Sequence, residues 1–182
     1  MEVRVGQSSL ELVEGDITQQ GTDAIVNAAN TALRPGGGVD GAIHRAGGPA
    51  IEAEARQLGG CPTGEARITK GGKLAARFVI HTVGPVYKDG LHREPELLAS
   101  CYRESLKLAA AKGLKTVAFP SISTGVYGYP LEDAAKVALT TIKDYLAQHP
   151  EIELVRLVLF GRPTYETYAR VLQELGAGGG QG

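Results

Sequence analysis

Tryptophan is missing from the 182 residues, methionine occurs once and cysteine twice. Cys61 and Cys101 are too few and too far apart for a disulfide framework, and they match no zinc-ligand spacing. No apolar stretch approaches the ~18 residues needed to span a bilayer, and Met1-Glu2-Val3-Arg4 does not open a secretory signal. A cytoplasmic protein is therefore expected, without membrane contact. An excess of one charge is also lacking: 19 Lys and Arg face 20 Asp and Glu, leaving −1. That balance provides no broad electrostatic drive toward nucleic acid or lipid. Neither a G-K-[ST] phosphate loop nor a G-x-S-x-G elbow is present, which excludes a Walker nucleotidase and argues against a serine hydrolase.

Asparagine is nearly absent too, and its two copies share one motif, Asn27-Ala28-Ala29-Asn30. Scarce Asn, Met and Trp together match the depletion of labile residues in heat-adapted proteins. A chain that avoids Asn yet uses it twice in one motif either needs carboxamides there or needs a turn that favours Asn.

What is present describes an ordinary globular chain, 43% hydrophobic and 21% charged, of a size for one domain over residues 1–175. Glycine is abundant at 25 residues, roughly twice the usual ~7%. Part of that excess is the tail, residues 176–182, expected to be a flexible end. Short strands are expected at Val3 to Val5 and Leu10 to Val13, then at Ala24 to Val26, Ala66 to Thr69, Phe78 to Thr82, Thr116 to Phe119 and Leu154 to Phe160. The almost wholly apolar run from Phe78 reads as a central strand. Helices are expected from about Val39, resuming after Pro49, then over Glu94 to Ala111, Pro130 to Gln148 and Pro163 to Leu175. In the helix from Glu94, Leu97, Cys101 and Leu108 mark the buried side; in the helix from Pro130, Ala135, Leu139, Ile142 and Leu146 do. Alternating strands and helices define an α/β fold, a three-layer α/β/α sandwich around a mixed, largely parallel sheet.

In such sheets ligands bind beyond the carboxyl ends of the strands. Four of those ends carry polar or glycine-rich segments: Asn27 to Gly41, His81 to Pro85, Pro120 to Gly128, and Phe160 to Pro163. Gly36 to Gly38 precede a helix, so open N–H groups and the positive helix end favour an anion. Ser123 to Gly128 can form a second anion nest. Two anion sites in one crevice point to a pyrophosphate. Asp40 and His44 lie one helical turn apart just past the first loop. A carboxylate there is stabilised as the anion and is fit to orient or deprotonate water, or serves only as a cap. His81 ends an apolar strand and reads as a hydrogen-bonded core histidine. The formal G-x-G-x-x-G of Gly36 to Gly41 sits too far beyond its strand for a dinucleotide fold.

Taken together, Gly15-Asp16-Ile17-Thr18, Asp23 to Asn30, Gly36 to Gly48, His81 to Pro85 and Ser121 to Pro130 resemble the macro domain family. Within it the chain is most similar to the branch that hydrolyses ADP-ribosyl esters and O-acetyl-ADP-ribose. The resemblance covers about residues 3–175 and implies the same three-layer fold. It implies that Asp16 accepts from the adenine amino group, that the Ile17 N–H lies nearby, and that Phe160 stacks on the ring. Gly38, Val39 and the loop of Ser123, Thr124, Gly125, Val126 and Tyr127 would hold the diphosphate and crowd the distal ribose, with Asn27 also in the ligand-binding set. Asn30 would bond the distal ribose hydroxyls, Asp40 would orient the attacking water, and His44 would support it.

The chain departs from many members of that branch by having Pro35 where a fourth glycine stands, and Gly161 then Arg162 where an acidic residue often follows Phe160. The resemblance implies no metal and no cofactor. The partners it implies are ADP-ribose and its esters, free or on protein, with nucleic acid only as ADP-ribosylated ends; a monomer is expected. Two functions stay open: a metal-independent hydrolase, or a reader that binds ADP-ribose without turnover. A nicotinamide oxidoreductase is a distant third.

Overall fold

The computed structural model describes residues 1–179, with side-chain detail through residue 176. The chain opens with a hairpin, β1 (Glu2–Val5) and β2 (Ser8–Glu14), turned at Gly6 with φ +61°. A 3-10 turn (Ile17–Gln19) then leads to β3 (Ala24–Ala28). Two short helices follow, α1 (Gly38–Gly47) and α2 (Pro49–Arg56), before β4 (Ala66–Lys70) and β5 (Phe78–Thr82). The remainder alternates: α3 (Glu94–Ala111), β6 (Thr116–Phe119), α4 (Leu131–Gln148), β7 (Leu154–Leu159) and α5 (Arg162–Gly179). Among the described residues no helix is long and apolar enough to cross a membrane.

The seven strands form one sheet in the order β1-β2-β7-β6-β3-β5-β4. Antiparallel pairing is confined to the two edges; the five inner strands run parallel. Their side chains alternate between two cores, as the two-residue strand period requires. Ala24 and Val26, Val117 and Phe119, and Val155, Leu157 and Leu159 face one core with α3, α4 and α5. Ile25, Ala118 and Val158 face the other, with Ile43 of α1 and Ile51 of α2. The three-layer sandwich read from the sequence is the one observed.

Four features differ from the sequence reading. β5 is second from the edge, not central; its apolar run reflects burial on both faces, with Val79 in one core and Ile80 in the other. In α3 the buried stripe is Leu98, Cys101, Tyr102, Leu106 and Ala109, whereas Leu97 and Leu108 are half-buried. The 3-10 turn escaped the sequence reading because three residues carry no periodicity. Finally, α5 continues to Gly179, past Leu175 where it was expected to stop, and residues 180–182 of the expected tail lie outside the described residues.

One polar clamp fixes the entry to the sheet. Asp23 accepts the N–H groups of Lys115 at 2.9 Å and Thr116 at 3.2 Å, and pairs with Arg77 at 3.2 Å. The Lys115 amide, above all, keeps this carboxyl below its ordinary range against the opposing effect of partial burial. The clamp ties the start of β3 to the start of β6, whose carboxyl ends carry the loops considered next.

Candidate functional site

Asp40 sits in the first turn of α1 and is buried. Its Oδ2 accepts the Gly36 N–H at 2.6 Å, and its Oδ1 accepts from Asn27 Nδ2 at 2.7 Å. His44, one turn along the helix, brings Nε2 to 3.3 Å from the same Oδ1. The loop can close on α1 because residue 41 is glycine: a Cβ there would lie 2.5 Å from the Gly36 carbonyl oxygen. Among the described residues the N–H groups of Gly37, Gly38 and Val39 have no backbone partner. They are the open donors of a helix start, where the dipole favours an anion. Gly36, expected among those open donors, is held by Asp40 instead.

Asn30 closes the turn ahead of this loop. Its Nδ2 donates to the Arg34 carbonyl at 2.8 Å, and its Oδ1 accepts the Arg34 N–H at 3.1 Å. The carboxamide thus has the turn-forming role, while the side chain still lines the cavity beside Asp40.

The facing wall is the loop after β6. Ser123 adopts φ +67°, rare for a residue with a side chain, and costs of order 1 kcal/mol of strain. Its carbonyl accepts the Tyr129 N–H at 2.9 Å, and Gly125 accepts that of Gly128 at 3.0 Å, so the loop curls back on itself. Thr124 Oγ1 bonds inward to Ser121, whose hydroxyl lies 2.6 Å from the Tyr168 hydroxyl. The Ser123 hydroxyl is buried and has no hydrogen-bond partner among the described residues. Tyr127 is half-buried, Val126 is almost fully exposed, and Tyr87 N–H donates to the Tyr127 carbonyl at 2.9 Å.

Two cavities meet between these walls. One, about 220 Å³, is lined by Asn30, Gly36 to Asp40, Gly84 and the Ser123 to Tyr127 loop. The other, about 520 Å³, is lined by Asp16, Ile17, Phe160 and Thr164 among others. Gly38, Val39, Ser121 and Gly125 line both, so the cavities join at the start of α1. At the far end Asp16 caps the 3-10 turn through Oδ1, which accepts the Thr18 N–H at 2.9 Å. Phe160 follows β7, 85% exposed at the rim of this second cavity. An aromatic left in water beside a concave surface is poised to stack.

Most residues picked out in the sequence therefore converge on one cleft: Asp16, Ile17, Asn30, Gly38, Val39, Asp40, Ser123 to Tyr127 and Phe160. Two do not line it. Asn27, expected to touch ligand, is fully buried behind Asp40, because the register puts it beside His81 on the face covered by α1. His44 touches Asp40 from the protein side, away from the cavity lining. The sequence reading carried Gly84 only within the strand-end segment His81 to Pro85 and gave it no role; a Cβ there would collide with Ser123 Oγ. Nor did it give a role to Thr69, whose hydroxyl lies 2.9 Å from His81 Nε2; no spacing rule could have linked these residues before the strand order was known. His81 itself is the hydrogen-bonded core histidine expected. Burial, with a smaller contribution from His44, pushes its pKa down to about 4.

Among the described residues one group of possible metal donors comes together elsewhere: Asp89, His92 and Glu94, at the start of α3. Its buried member, Glu94, already accepts N–H groups from Lys88, Asp89, Gly90 and His92. Burial pushes this carboxyl up, but the amides of Lys88, Gly90 and Asp89 outweigh it and bring it down to about 2, which makes Glu94 a loop clasp.

Comparison with known proteins agrees with this geometry. The family model described as Macro domain matches residues 26–138. A macro domain-containing protein of Chlorobaculum tepidum is 57% identical over 163 residues, 90% of this chain and 95% of its own length. An Escherichia fergusonii protein named O-acetyl-ADP-ribose deacetylase is 51% identical over 174 residues, 93% of this chain and 98% of its own. The Oceanobacillus iheyensis macrodomain, solved with ADP, superposes with a TM-score of 0.93 at 46% identity, covering 96% and 95% of the two chains. A mutant form of that protein was solved with ADPR. The chain belongs to the macro domain family.

Proposed function

We propose that this macro domain binds ADP-ribose in the double cavity and hydrolyses its esters, with O-acetyl-ADP-ribose as one substrate and ADP-ribosylated Asp or Glu side chains as others. The observation that carries the reading is the Asp40 carboxylate. It is buried, held by the Gly36 N–H and the Asn27 amide, and opens on the cavity at the point where a helix start favours an anion. A carboxylate has about four acceptor sites, so two hydrogen bonds and the His44 contact leave capacity for a water. In this pose the adenine lies against Phe160 near Asp16 and Ile17. The diphosphate crosses the junction of the cavities at Gly38, Val39 and the Ser123 to Tyr127 loop. The distal ribose then reaches Asn30 and Asp40. Water adds to the ester, the ester C–O bond breaks, and a free acid and ADP-ribose leave. The name borne by the Escherichia fergusonii relative supports this assignment.

A second reading has one observation in its favour: both polar atoms of Asn30 already serve the Arg34 backbone. A reader module would need no more from that side chain. Turnover of O-acetyl-ADP-ribose by the purified protein in excess chelator, followed by mass, separates the two. Multiple turnovers that vanish in Asp40→Asn establish the metal-independent hydrolase. Saturable ADP-ribose binding without turnover establishes the reader. Isotope-labelled water then locates the attack, with label in the acid for the carbonyl and label in ADP-ribose for the anomeric carbon.

A further inference from the structure

We infer that His81 is a positioning residue, whose single allowed tautomer, pinned by Thr69, orients the Asn27 amide and through it Asp40. This inference rests on the hydrolase reading above. Its origin is the strand register. Asn27 of β3 pairs directly with His81 of β5, and β4 runs antiparallel beside β5 with Arg67 opposite His81 and Thr69 opposite Val79. Residues 27, 69 and 81 therefore share the sheet face that α1 covers, where Asp40 and His44 descend from the helix. A register slip of one residue in any of the three strands would carry its member of the row to the other face.

The hydrogen-bond directions along this row are forced. Asp40 Oδ1 lies 2.7 Å from the Asn27 carboxamide nitrogen, and a carboxylate only accepts, so Nδ2 must face it. The same Nδ2 lies 3.1 Å from His81 Nδ1 and donates its second hydrogen there, which requires that ring nitrogen to be unprotonated. The proton of the neutral ring is then on Nε2, 2.9 Å from Thr69 Oγ1. Thr69 can accept it because its own hydroxyl hydrogen goes to the Lys70 carbonyl at 3.1 Å. The chain thus runs one way: Asn27 donates to both Asp40 and His81, His81 donates to Thr69, and Thr69 donates to Lys70.

Reversing any link has a consequence at the cavity. An Nδ1–H tautomer would set two donors against each other at Asn27. Turning the amide to relieve that clash would bring Asn27 Oδ1 against the Asp40 carboxylate, two acceptors face to face. The row is buried throughout: Asn27 and His81 are 0% and 1% exposed and Thr69 is 1% exposed. Solvent therefore cannot replace a lost link. His44 approaches His81 with ring centroids 6.4 Å apart and meets Asp40 from the other side. It neither shares a hydrogen bond with His81 nor fixes its tautomer.

Three readouts test this. Nitrogen-15 imidazole spectra of the whole protein at neutral pH should show His81 protonated at Nε2 alone; an Nδ1–H signal overturns the inference. Thr69→Val keeps the side-chain shape and removes the acceptor. It should lower kcat for O-acetyl-ADP-ribose by about 10- to 100-fold, the cost of a small misplacement at a reacting centre, with KM within about 2-fold. His81→Asn places a carbonyl oxygen where Nδ1 stands, so it should restore most of the kcat that His81→Leu loses. Equal losses in His81→Asn and His81→Leu, or a loss that appears only in KM, would reduce His81 to a packing residue. Wild-type turnover is the control that separates the two ideas. An active wild type matched by all three variants overturns the positioning role alone. An inert wild type overturns the proposed hydrolase first and the role with it, whatever the spectrum shows.

Discussion

The Gly36 N–H lies 2.6 Å from Asp40 Oδ2, a charge-assisted bond that folds the glycine loop back onto the helix it precedes. Such bonds contribute about 1.5–3 kcal/mol. Asp40 therefore has two roles: it holds the loop and it presents a carboxylate to the cavity. Asp40→Asn keeps the shape and removes the charge. It should lose at least about 100-fold in turnover while ADP-ribose affinity stays within about 10-fold. Asp40→Ala should also loosen the loop and cost about 2 kcal/mol of stability. Steady-state kinetics, calorimetric binding and denaturant unfolding on the three proteins check this. Full turnover in Asp40→Asn would return Asp40 to a purely structural role.

Gly84 is predicted to be intolerant for a reason confined to the opposite wall. A Cβ at this position would collide with Ser123 Oγ and Ile122 Cγ2. Ser123 is already in a left-handed backbone conformation, so the loop has little room to yield. Gly84→Ala should push the loop of Ser123 to Tyr127 outward and weaken ADP-ribose binding by about 10-fold or more. Overpacking of this kind costs about 1–3 kcal/mol of stability. Unchanged affinity by calorimetry would mean that the loop does not hold the diphosphate.

The pH dependence of stability follows from His81. Burial lowers its pKa from 6.5 to about 4, so the unfolded chain takes up a proton before the folded one does. Stability from this group is complete above pH 6.5 and is lost as pH falls toward 4; below that it changes no further. The difference of roughly 2.5 units corresponds to about 3 kcal/mol. The groups facing it are His44 and Asp40 from α1, Asn27 from β3 and Arg67 and Thr69 from β4, and of these His44 adds to the depression. Urea unfolding of wild type and His81→Asn from pH 7 to pH 4 should show the wild type losing this extra amount. Parallel curves would show that His81 titrates alike in the folded and unfolded chains.

Much of the fold was legible because the inner strands are short apolar runs, buried on both faces, and the long helices keep a periodic buried side, while Pro49 and Gly36 to Gly38 mark helix starts. The cleft was legible because Asp40, Asn30 and the Ser123 loop all follow strand ends. What escaped depends on long-range register. Asn27 looked like Asn30, three residues away, yet one is buried against His81 while the other lines the cavity. Only the pairing of β3 with β5 distinguishes them. The relation of Thr69 to His81 likewise arises from the antiparallel edge strand. The Gly84–Ser123 contact joins loops of two strands that are not neighbours in the sheet.

Phe160 offers the cleanest separation of binding from stability. The residue is 85% exposed, so removing its ring takes little away from the folded core. Surface substitutions of this kind usually stay within about 0.5 kcal/mol of wild type. In the proposed pose the same ring stacks on adenine, an interaction worth about 1–3 kcal/mol by truncation. Phe160→Ala should therefore unfold at the same denaturant concentration as wild type and bind ADP-ribose about 5- to 150-fold more weakly. Phe160→Tyr should restore most of the affinity, because the π-face is kept. A ribose phosphate lacking the base should bind wild type and Phe160→Ala equally, since it does not reach the ring. If Phe160→Ala weakens both ligands alike, the ring acts on the diphosphate loop and the adenine lies elsewhere in the 520 Å³ cavity.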